Sequence, residues 1–484
     1  MSGSSQSNRL NINRRSFVKS CTVACAAGAL TMASSAKPAF AMPGSELYPQ
    51  VKARIRLIFC HKPDTEATWP NVGYDYEGRK QELIGELKKS CPEVDFVPVS
   101  VLRQEDARAI VTSDHDIDGY LVYIIGIWTG VSRVFAESGK PTILVDDLYA
   151  GSGEFLVEFA RARRQGLKVV GVSSTDFTDV VQAVKYLSTL KKLQASRVLD
   201  VTENQENALW GGASAQAFKE GFGTEIQLIR ADEFNAAYEQ ASTELAAQCA
   251  QQWISTARKV VEPQKEEIIK SGKMYLAMAD LMKKYSAQAI AVDCLGLFYG
   301  DKISAYPCLG FCQLNDNGLV GACESDLYST LTMLILTYQT GKPGFISDPV
   351  IDTSRNQIIY AHCVAPTKVY GPQGTRNQFD IRDHSEDRKG AAIRSFMPLG
   401  EMTTTIQFRP EKKAVIMHQG VTVENVDEDK ACRTKLAVEV KGDVYKLMNE
   451  WDQWGWHRVT FYGDHKRDVE NLAQLLGFSV LMEA

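Results

Sequence analysis

The sequence predicts an α/β fold with two doubly wound α/β domains followed by a β-rich C-terminal domain. From residue 51 onwards, short apolar runs alternate with helical patterns, as they do when helices connect the strands of a parallel sheet. Past Met397 the pattern becomes mostly strand-like. A chain of 484 residues is long enough for two or three domains that each bury a full core.

The first domain is predicted over residues 50–195. Its strands are Arg54–Cys60, Val94–Val99, Gly119–Ile125, Pro141–Asp146 and Lys168–Val172. Its helices are Tyr76–Lys89, Glu154–Arg164 and Asp179–Leu193. No G-x-G-x-x-G sequence follows the first strand, so the sequence gives no support for dinucleotide binding.

The second domain is predicted over residues 196–345 and the third over residues 346–484. Strands of the second domain are Arg197–Val201, Glu225–Ile229 and Ala289–Val292, and its long helices are Thr243–Val261 and Glu266–Tyr285. Residues 344–365 form a predicted hairpin with its tip at 352–356. It is followed by strands Thr403–Phe408, Lys413–Met417 and Leu436–Val440, then by the helix Arg467–Leu476.

Residues 1–41 resemble a twin-arginine signal peptide. Arg14-Arg15-Ser16-Phe17 precedes a weakly apolar run, and Ala39-Phe40-Ala41 matches a small-x-small cleavage site. The alternative is a basic segment that feeds the ordinary secretion route. We expect export by the twin-arginine machinery to the periplasm. No later stretch has the ~18 consecutive apolar residues of a membrane span, so the chain is not expected to be membrane-embedded.

Removal of residues 1–41 makes the remaining chain strongly acidic. The segment contains five basic residues and no acidic one, so the formal charge changes from −5 to −10. This charge argues against nucleic acid as a partner. Of the 11 cysteines, nine lie after residue 41, and their spacing matches neither a disulfide framework nor a zinc site.

The most informative stretch runs from Cys323 to Leu336. Leucines at 327, 331 and 334 have helical spacing, and Gly341-Lys342-Pro343-Gly344 ends the predicted helix. Glu324 and Asp326 therefore lie at or just before a helix N-terminus. Asp326 is interpreted either as an N-cap only or, with Glu324, as part of a divalent-metal site built from hard oxygen ligands.

Three further residues are candidates for the same site. Asp293 directly follows the strand Ala289–Val292, a position where catalytic acids and capping aspartates are equally ordinary. His362 lies at the far end of the predicted hairpin, and His457 begins an apolar β-run near the C-terminus. Taken alone, each histidine is as well explained as a structural or surface residue.

Two motifs together resemble the L-fucose isomerase and L-arabinose isomerase superfamily. One is the Glu-x-Asp sequence before an apolar helix. The other is the distant histidine before an apolar strand and a Gly-Asp turn. The resemblance covers residues 50–484 and agrees with that superfamily's architecture. It implies an aldose–ketose isomerase. In such a site a divalent ion, usually manganese, bridges two adjacent sugar oxygens while a carboxylate moves a proton between C1 and C2. The superfamily also tends to form oligomers, so a homo-oligomer is expected.

By position, Asp326 matches the carboxylate of the superfamily's Glu-x-Asp sequence, and His457 matches its C-terminal histidine ligand. The expected metal site comprises Glu324, Asp326, His457 and His362. The expected catalytic carboxylates are Glu324, Asp326 and Asp293, the last standing in for an upstream acid of the superfamily. Many relatives have a second histidine where this chain has Trp456. Other metal-assisted sugar reactions (hydrolysis, elimination or epimerisation) and non-catalytic sugar binding remain alternatives.

Overall fold

The computed structural model describes residues 44–204 and 214–484, and these residues form one compact unit. The predicted signal segment 1–41 lies outside the described residues. The predicted fold class is confirmed: two parallel sheets flanked by helices precede a largely antiparallel β region. The domain boundaries at 195/196 and 345/346 stay predictions.

The first sheet has five parallel strands in the order β2-β1-β3-β4-β5. They are β1 (Ala53–Cys60), β2 (Val94–Val101), β3 (Gly119–Ile124), β4 (Thr142–Asp146) and β5 (Val169–Val172). Its helices are α1 (Tyr76–Ser90), α2 (Gln104–Ser113), α3 (Val131–Ala136), α4 (Ser152–Arg164) and α5 (Phe177–Gln194). Strand β3 is buried along its whole length because a central parallel strand is covered by helices on both faces.

The second sheet has four parallel strands in the order β10-β9-β6-β7. Strands in this part of the chain are β6 (Arg197–Val201), β7 (Glu225–Ile229), β8 (Lys259–Val260), β9 (Ala289–Val292) and β10 (Val320–Cys323). Helices are α6 (Ala215–Phe222), α7 (Ala231–Gln240), α8 (Thr243–Thr256), α9 (Lys265–Lys284), α10 (Cys294–Tyr299), α11 (Cys308–Asp316) and α12 (Leu327–Thr340).

One helix in this part of the chain is shorter than predicted. The prediction of a single helix to Val261 is wrong, because α8 ends at Thr256 and the chain then becomes the short strand β8. The Arg258 guanidinium donates to both carboxylate oxygens of Asp380 at 2.7 and 2.8 Å. This tertiary ion pair joins β8 to a strand that local sequence could not identify as its partner.

The C-terminal region contains a barrel. Its strands are β11 (Phe345–Asp352), β12 (Gln357–His362), β13 (Phe379–Arg382), β14 (Ala392–Ser395), β15 (Met402–Arg409), β16 (Ala414–Asn425), β17 (Thr434–Val440), β18 (Arg458–Tyr462) and β19 (Ser479–Met482), and its helices are α13 (Val444–Glu450) and α14 (Lys466–Leu476). The main sheet has the order β15-β18-β11-β12-β17-β16-β19, and pairing of β15 with β16 closes six of its strands. Strands β8, β13 and β14 form a separate small sheet.

Helix α12 lies between helix α5, the second parallel sheet and the main sheet of the barrel. Thirteen of its 14 residues are buried, and it packs against α5, β10 and β15. Gly341 ends the helix in the left-handed conformation with φ 73°. The predicted helix is therefore confirmed, and its N-terminus lies where the second sheet meets the barrel. Within residues 44–204 and 214–484, no helix combines the length and the apolarity needed to cross a membrane.

Candidate metal centre

The turn between β10 and α12 has an unusual backbone. Glu324 and Ser325 both adopt the left-handed conformation, with φ 60° and 52°, which is uncommon for residues other than glycine. The Ser325 backbone N–H donates to the Val292 carbonyl at 3.0 Å, and its hydroxyl donates to the Asp200 carboxylate. Strained turns persist where their surroundings hold them, and they concentrate at functional sites. Here the strained residue Glu324 is itself a candidate.

Asp326 combines a structural role with a contact to His457. Its carboxylate accepts hydrogen bonds from the Ser329 backbone N–H at 3.0 Å and from the Ser329 hydroxyl at 2.6 Å. This is the N-cap that the first interpretation predicted. The same carboxylate lies 3.0 Å from Nδ1 of His457, so it also fixes the orientation of that ring.

Four side chains bring one ligand atom each into a common space. Glu324, Asp348, His362 and His457 offer donor atoms that all lie within 4.8 Å of one another. His457 Nε2 is 3.2 Å from Asp348 Oδ1 and 3.6 Å from Glu324 Oε2. His362 Nε2 is 3.8 Å from Glu324 Oε1. Both histidines are almost completely buried, whereas the two carboxylates are partly exposed.

The fold explains why these residues meet. Asp348 lies in β11, which pairs with β12 on one side and with β18 on the other. His362 ends β12, and His457 immediately precedes β18. Three adjacent strands of the barrel therefore supply three donors, and the strained turn after β10 supplies Glu324 from the second parallel sheet.

Asp348 was missed by sequence reasoning. A signal for it was present, because the predicted hairpin with its tip at 352–356 implies a register close to the observed pairing of Asp348 with Ala361. That register places Asp348 beside His362. Trp456 donates from Nε1 to Asp348 Oδ1 at 2.6 Å.

Two predicted site residues lie outside the group of four donors. Asp326 reaches Nδ1 of His457, the nitrogen that faces away from the group, which differs from the expectation that it binds the ion directly. The Asp326 carboxylate contacts Ser329 in the helix cap and the His457 ring. Asp293 lies at the end of β9 as expected, but it caps α10 through the Gly296 N–H at 3.1 Å and accepts a bond from Thr202 at 3.3 Å.

Comparison with known proteins supports the resemblance. No family model matches the chain. It is 28% identical over 211 residues to a sulfoquinovose isomerase from Clostridium sp. (strain MSTE9), covering 42% of this chain and 46% of the relative. For the sulfoquinovose isomerase of Alkalicoccus urumqiensis the identity is 22% over 210 residues, covering 42% and 46%. For that of Priestia megaterium it is 25% over 193 residues, covering 39% and 42%.

These relatives belong to the fucose- and arabinose-isomerase-like superfamily. The chain is therefore similar to members of that superfamily. It spans slightly less than half the length of the curated relatives it matches. The similarity agrees with the resemblance predicted from Glu324, Asp326 and His457.

The group of four donors is electrostatically unusual. Burial raises the pKa of Glu324 to about 7, although His457 opposes the shift. Burial would lower the pKa of His457, but its contacts with Asp326 and Asp348 and the nearby Glu324 charge raise it to about 10. Burial lowers the pKa of His362 to about 4, so this ring is neutral near pH 7.

The two aspartates stay ionised. Burial opposes their charge, but contacts with His457 and Ser329 hold the pKa of Asp326 below its usual range. Burial likewise opposes the charge of Asp348, yet the two nearby histidines hold its pKa well below the usual range. Near neutral pH, up to three carboxylate charges therefore face one imidazolium charge. A divalent cation would relieve this excess.

The residues present fit such a cation. Two carboxylates and two imidazoles form a mixed oxygen and nitrogen donor set that suits manganese, zinc or iron. His362 Nε2 is a buried nitrogen with no hydrogen-bond partner among the described residues. However, its Nδ1 accepts from the Cys363 N–H at 3.0 Å, which places the ring proton on Nε2. His362 would have to move that proton to Nδ1 before binding, whereas Glu324, Asp348 and His457 need no such tautomer change.

Proposed function

We propose that this chain is an exported, metal-dependent aldose–ketose isomerase that acts on a sugar or a sugar derivative. The observation that carries the proposal is the convergence of Glu324, Asp348, His362 and His457 at one partly buried site. Its relatives named sulfoquinovose isomerase support the reaction class and make sulfoquinovose the first substrate to test.

Some residues would hold the ion and others support them, and Glu324 would both hold the ion and react. Asp348 and His457, with Glu324 and His362, would hold the divalent ion, for which the superfamily resemblance favours manganese. When bound, such an ion polarises a substrate carbonyl and stabilises the negative charge that develops on oxygen. Asp326 holds His457 so that Nε2 faces the group, and Trp456 holds Asp348. Outer hydrogen bonds of this kind fix ligand orientation.

Glu324 is the proposed proton carrier. Two carboxylates whose surroundings push their pKa values apart are suited to different roles. Asp348 stays ionised, as a ligand requires, whereas burial raises the pKa of Glu324 to about 7. A base with a pKa near the working pH transfers protons most effectively. In this scheme Glu324 removes the proton from one of two adjacent sugar carbons and returns it to the other through an enediolate.

Solvent deuterium exchange tests the reaction directly. The purified protein is first analysed for bound metal, then incubated in deuterated water with sulfoquinovose and a panel of aldoses and ketoses. We expect deuterium at C1 or C2 of a substrate by nuclear magnetic resonance, and no incorporation with the Glu324→Gln variant. A metal-loaded protein that binds a sugar without exchanging carbon-bound hydrogen would contradict isomerisation of that sugar. It would favour another metal-assisted reaction or simple sugar binding.

Export by the twin-arginine route is part of the proposal. Its support is the sequence Arg14-Arg15-Ser16-Phe17 ahead of the apolar run and of Ala39-Phe40-Ala41. Replacing both arginines by lysine should stop accumulation in the periplasmic fraction. Unchanged accumulation would instead favour the ordinary secretion route.

Self-association is also proposed. Trp128 and Tyr149 are 58% and 84% exposed on the loops that precede α3 and α4. Tryptophan and tyrosine side chains are enriched at protein–protein interfaces. Light scattering on the purified protein should give a mass that is a multiple of the monomer. The double variant Trp128→Ser/Tyr149→Ser should shift it towards the monomer.

A further inference from the structure

Two buried thiols lie directly behind Glu324. Cys323 is the last residue of β10 and Cys294 is the first residue of α10. Their Sγ atoms are 3.0 Å apart, and their exposed fractions are 4% and 2%. Both cysteines are free thiols. The closeness follows from the sheet, because Cys323 pairs with Val292 and Cys294 lies two residues beyond Val292.

We propose that Cys294 and Cys323 are an oxidation site whose closure to a disulfide weakens the candidate metal centre. The inference rests on the proposed function only in so far as Glu324 belongs to that centre. The oxidant is a disulfide, either a small molecule or the oxidised form of a thiol oxidoreductase. One thiolate attacks it and forms a mixed disulfide, and the second cysteine displaces the remaining thiol. In total, the two cysteines lose two electrons and two protons, and the oxidant becomes two thiols.

Closure to a disulfide shortens the distance between the Cys294 and Cys323 sulfur atoms. A disulfide has an S–S length of about 2.05 Å, so the two sulfurs must approach by about 1 Å from their present separation. Glu324 follows Cys323 directly in the chain, and Ser325 is tied to Val292 and Asp200. The end of β10 therefore cannot shift without changing the turn that carries Glu324.

Metal sites tolerate little displacement. Ligand distances normally stay within about 0.2 Å of their ideal values. Glu324 Oε1 and Oε2 lie 3.8 and 3.6 Å from the two histidine Nε2 atoms, so they share the space in which an ion would bind. We expect the disulfide to lower metal affinity by roughly 10–100-fold, the range typical of disturbances just outside the ligands.

A second thiol pair on the barrel side provides an internal comparison. Cys363 follows His362 and shares a hydrogen bond with Cys432. The Cys432 thiol also donates to Asp348 Oδ2 at 3.7 Å. The Cys432 thiol thus contacts a carboxylate, whereas the Cys294 and Cys323 thiols contact each other. We therefore assign the oxidation site to Cys294 and Cys323.

The experiment combines cross-link mapping with metal affinity. The purified full chain is treated with hydroxyethyl disulfide, its remaining thiols are alkylated, and the cross-linked peptides are identified by mass spectrometry. Metal affinity is measured by competition with a chelator before oxidation, after oxidation and after reduction with dithiothreitol. We expect a Cys294–Cys323 peptide, the 10–100-fold loss of affinity stated above, and recovery on reduction.

Variants make the assignment specific. Cys294→Ser should abolish both the cross-link and the loss of affinity while keeping the affinity of the reduced protein. Cys249→Ser is the matched control, because Cys249 is also a buried free thiol, 1% exposed, but lies on α8. It should behave like the unaltered chain. If Cys294→Ser does not fold, Cys294→Ala provides the same comparison.

Several outcomes would overturn the inference. They are the absence of a Cys294–Cys323 peptide, a Cys363–Cys432 peptide in its place, an unchanged affinity after cross-linking, or a loss of affinity that persists in Cys294→Ser. A reduced protein that binds no divalent ion would overturn the proposed function. A reduced protein that binds metal but shows no sugar exchange would overturn the isomerase reaction alone, since neither readout here needs turnover.

Discussion

His457 and Arg458 are consecutive residues, yet they belong to two buried charged clusters of different character. His457 faces the acidic cluster, defined here as Glu324, Asp326 and Asp348 around that ring. These three carboxylates outnumber the charged histidine. The net negative charge therefore lies between the second parallel sheet and the barrel.

Arg458 belongs to the balanced cluster, which consists of Arg458, Glu483, His418 and Tyr360. The Arg458 guanidinium donates to Glu483 Oε1 at 3.0 and 2.7 Å. The other Glu483 oxygen lies 2.9 Å from His418 Nδ1, and His418 Nε2 lies 2.5 Å from the Tyr360 hydroxyl. The Arg458 cation faces the Glu483 anion, and the His418 ring lies between Glu483 and the Tyr360 hydroxyl.

The difference in net charge indicates that the acidic cluster serves binding, whereas the balanced cluster stabilises the fold. A buried ion pair with satisfied hydrogen bonds needs no further ligand, and removing one partner is destabilising. A buried group with excess negative charge is stable only when something positive compensates it. We therefore expect changes in the acidic cluster to affect metal binding and turnover, and changes in the balanced cluster to affect the free energy of unfolding.

The largest expected effect is that of Glu324→Gln on turnover. The amide keeps the shape of the side chain but cannot accept the proton, so turnover should fall by ~10²–10⁴-fold. At saturating metal, sugar affinity should stay close to that of the unaltered chain, because the lost proton transfer acts mainly in the transition state. Steady-state kinetics and equilibrium sugar binding measure the two quantities. An equal loss of sugar affinity and turnover would contradict the role of base.

Glu483→Gln should produce the opposite pattern. It leaves the buried Arg458 charge without its partner, which typically costs about 3–5 kcal/mol of unfolding free energy. Urea denaturation followed by circular dichroism measures this loss. Metal affinity of the folded variant should be unchanged. If Glu483→Gln weakened metal binding as strongly as a change at Asp348, the separation between the two clusters would not hold.

Local sequence patterns predicted the helix and two residues of the acidic cluster. The apolar spacing of α12 and the acids before it predicted the helix and placed Glu324 at its N-terminus. His457 could be chosen because it precedes an apolar strand. The predicted meeting of Asp326 and His457 is observed at 3.0 Å, across 131 positions of sequence.

Other features depend on long-range pairing that local patterns do not encode. Asp348 lies in a strand of mixed burial, and only the hairpin register brings it to His362. Glu483 meets Arg458 because β19 pairs with β16 at the end of the chain. The short strand β8 exists only through its pairing with β13, and Asp293 could not be separated from an ordinary cap by sequence alone.

Asp326→Asn should have an intermediate effect, and Asp293→Asn is its matched control. Both aspartates cap helices, and asparagine is as good an N-cap as aspartate, so neither helix should be lost. Only Asp326 contacts a histidine of the donor group. Losing its charge should lower metal affinity by ~10–100-fold, as outer-shell changes commonly do. Chelator competition measures the affinity of both variants. A comparable loss with Asp293→Asn would restore Asp293 as a member of the site.

The smallest expected effect is the pH dependence of metal affinity. In the metal-free protein the pKa of His457 is raised to about 10, so near neutral pH the ring holds a proton that an ion at Nε2 must displace. Raising the pH removes this competition, and affinity should increase by about tenfold per pH unit between pH ~7.5 and ~9. Below about pH 7 the slope should steepen, because Glu324, with its pKa raised to about 7, then holds a second proton.

Calorimetry in buffers of different ionisation enthalpy counts the protons released when the metal binds. A flat affinity above about pH 7.5 would mean that the ion does not displace the His457 proton, and the acidic cluster would then be an ion-pair network like the balanced one.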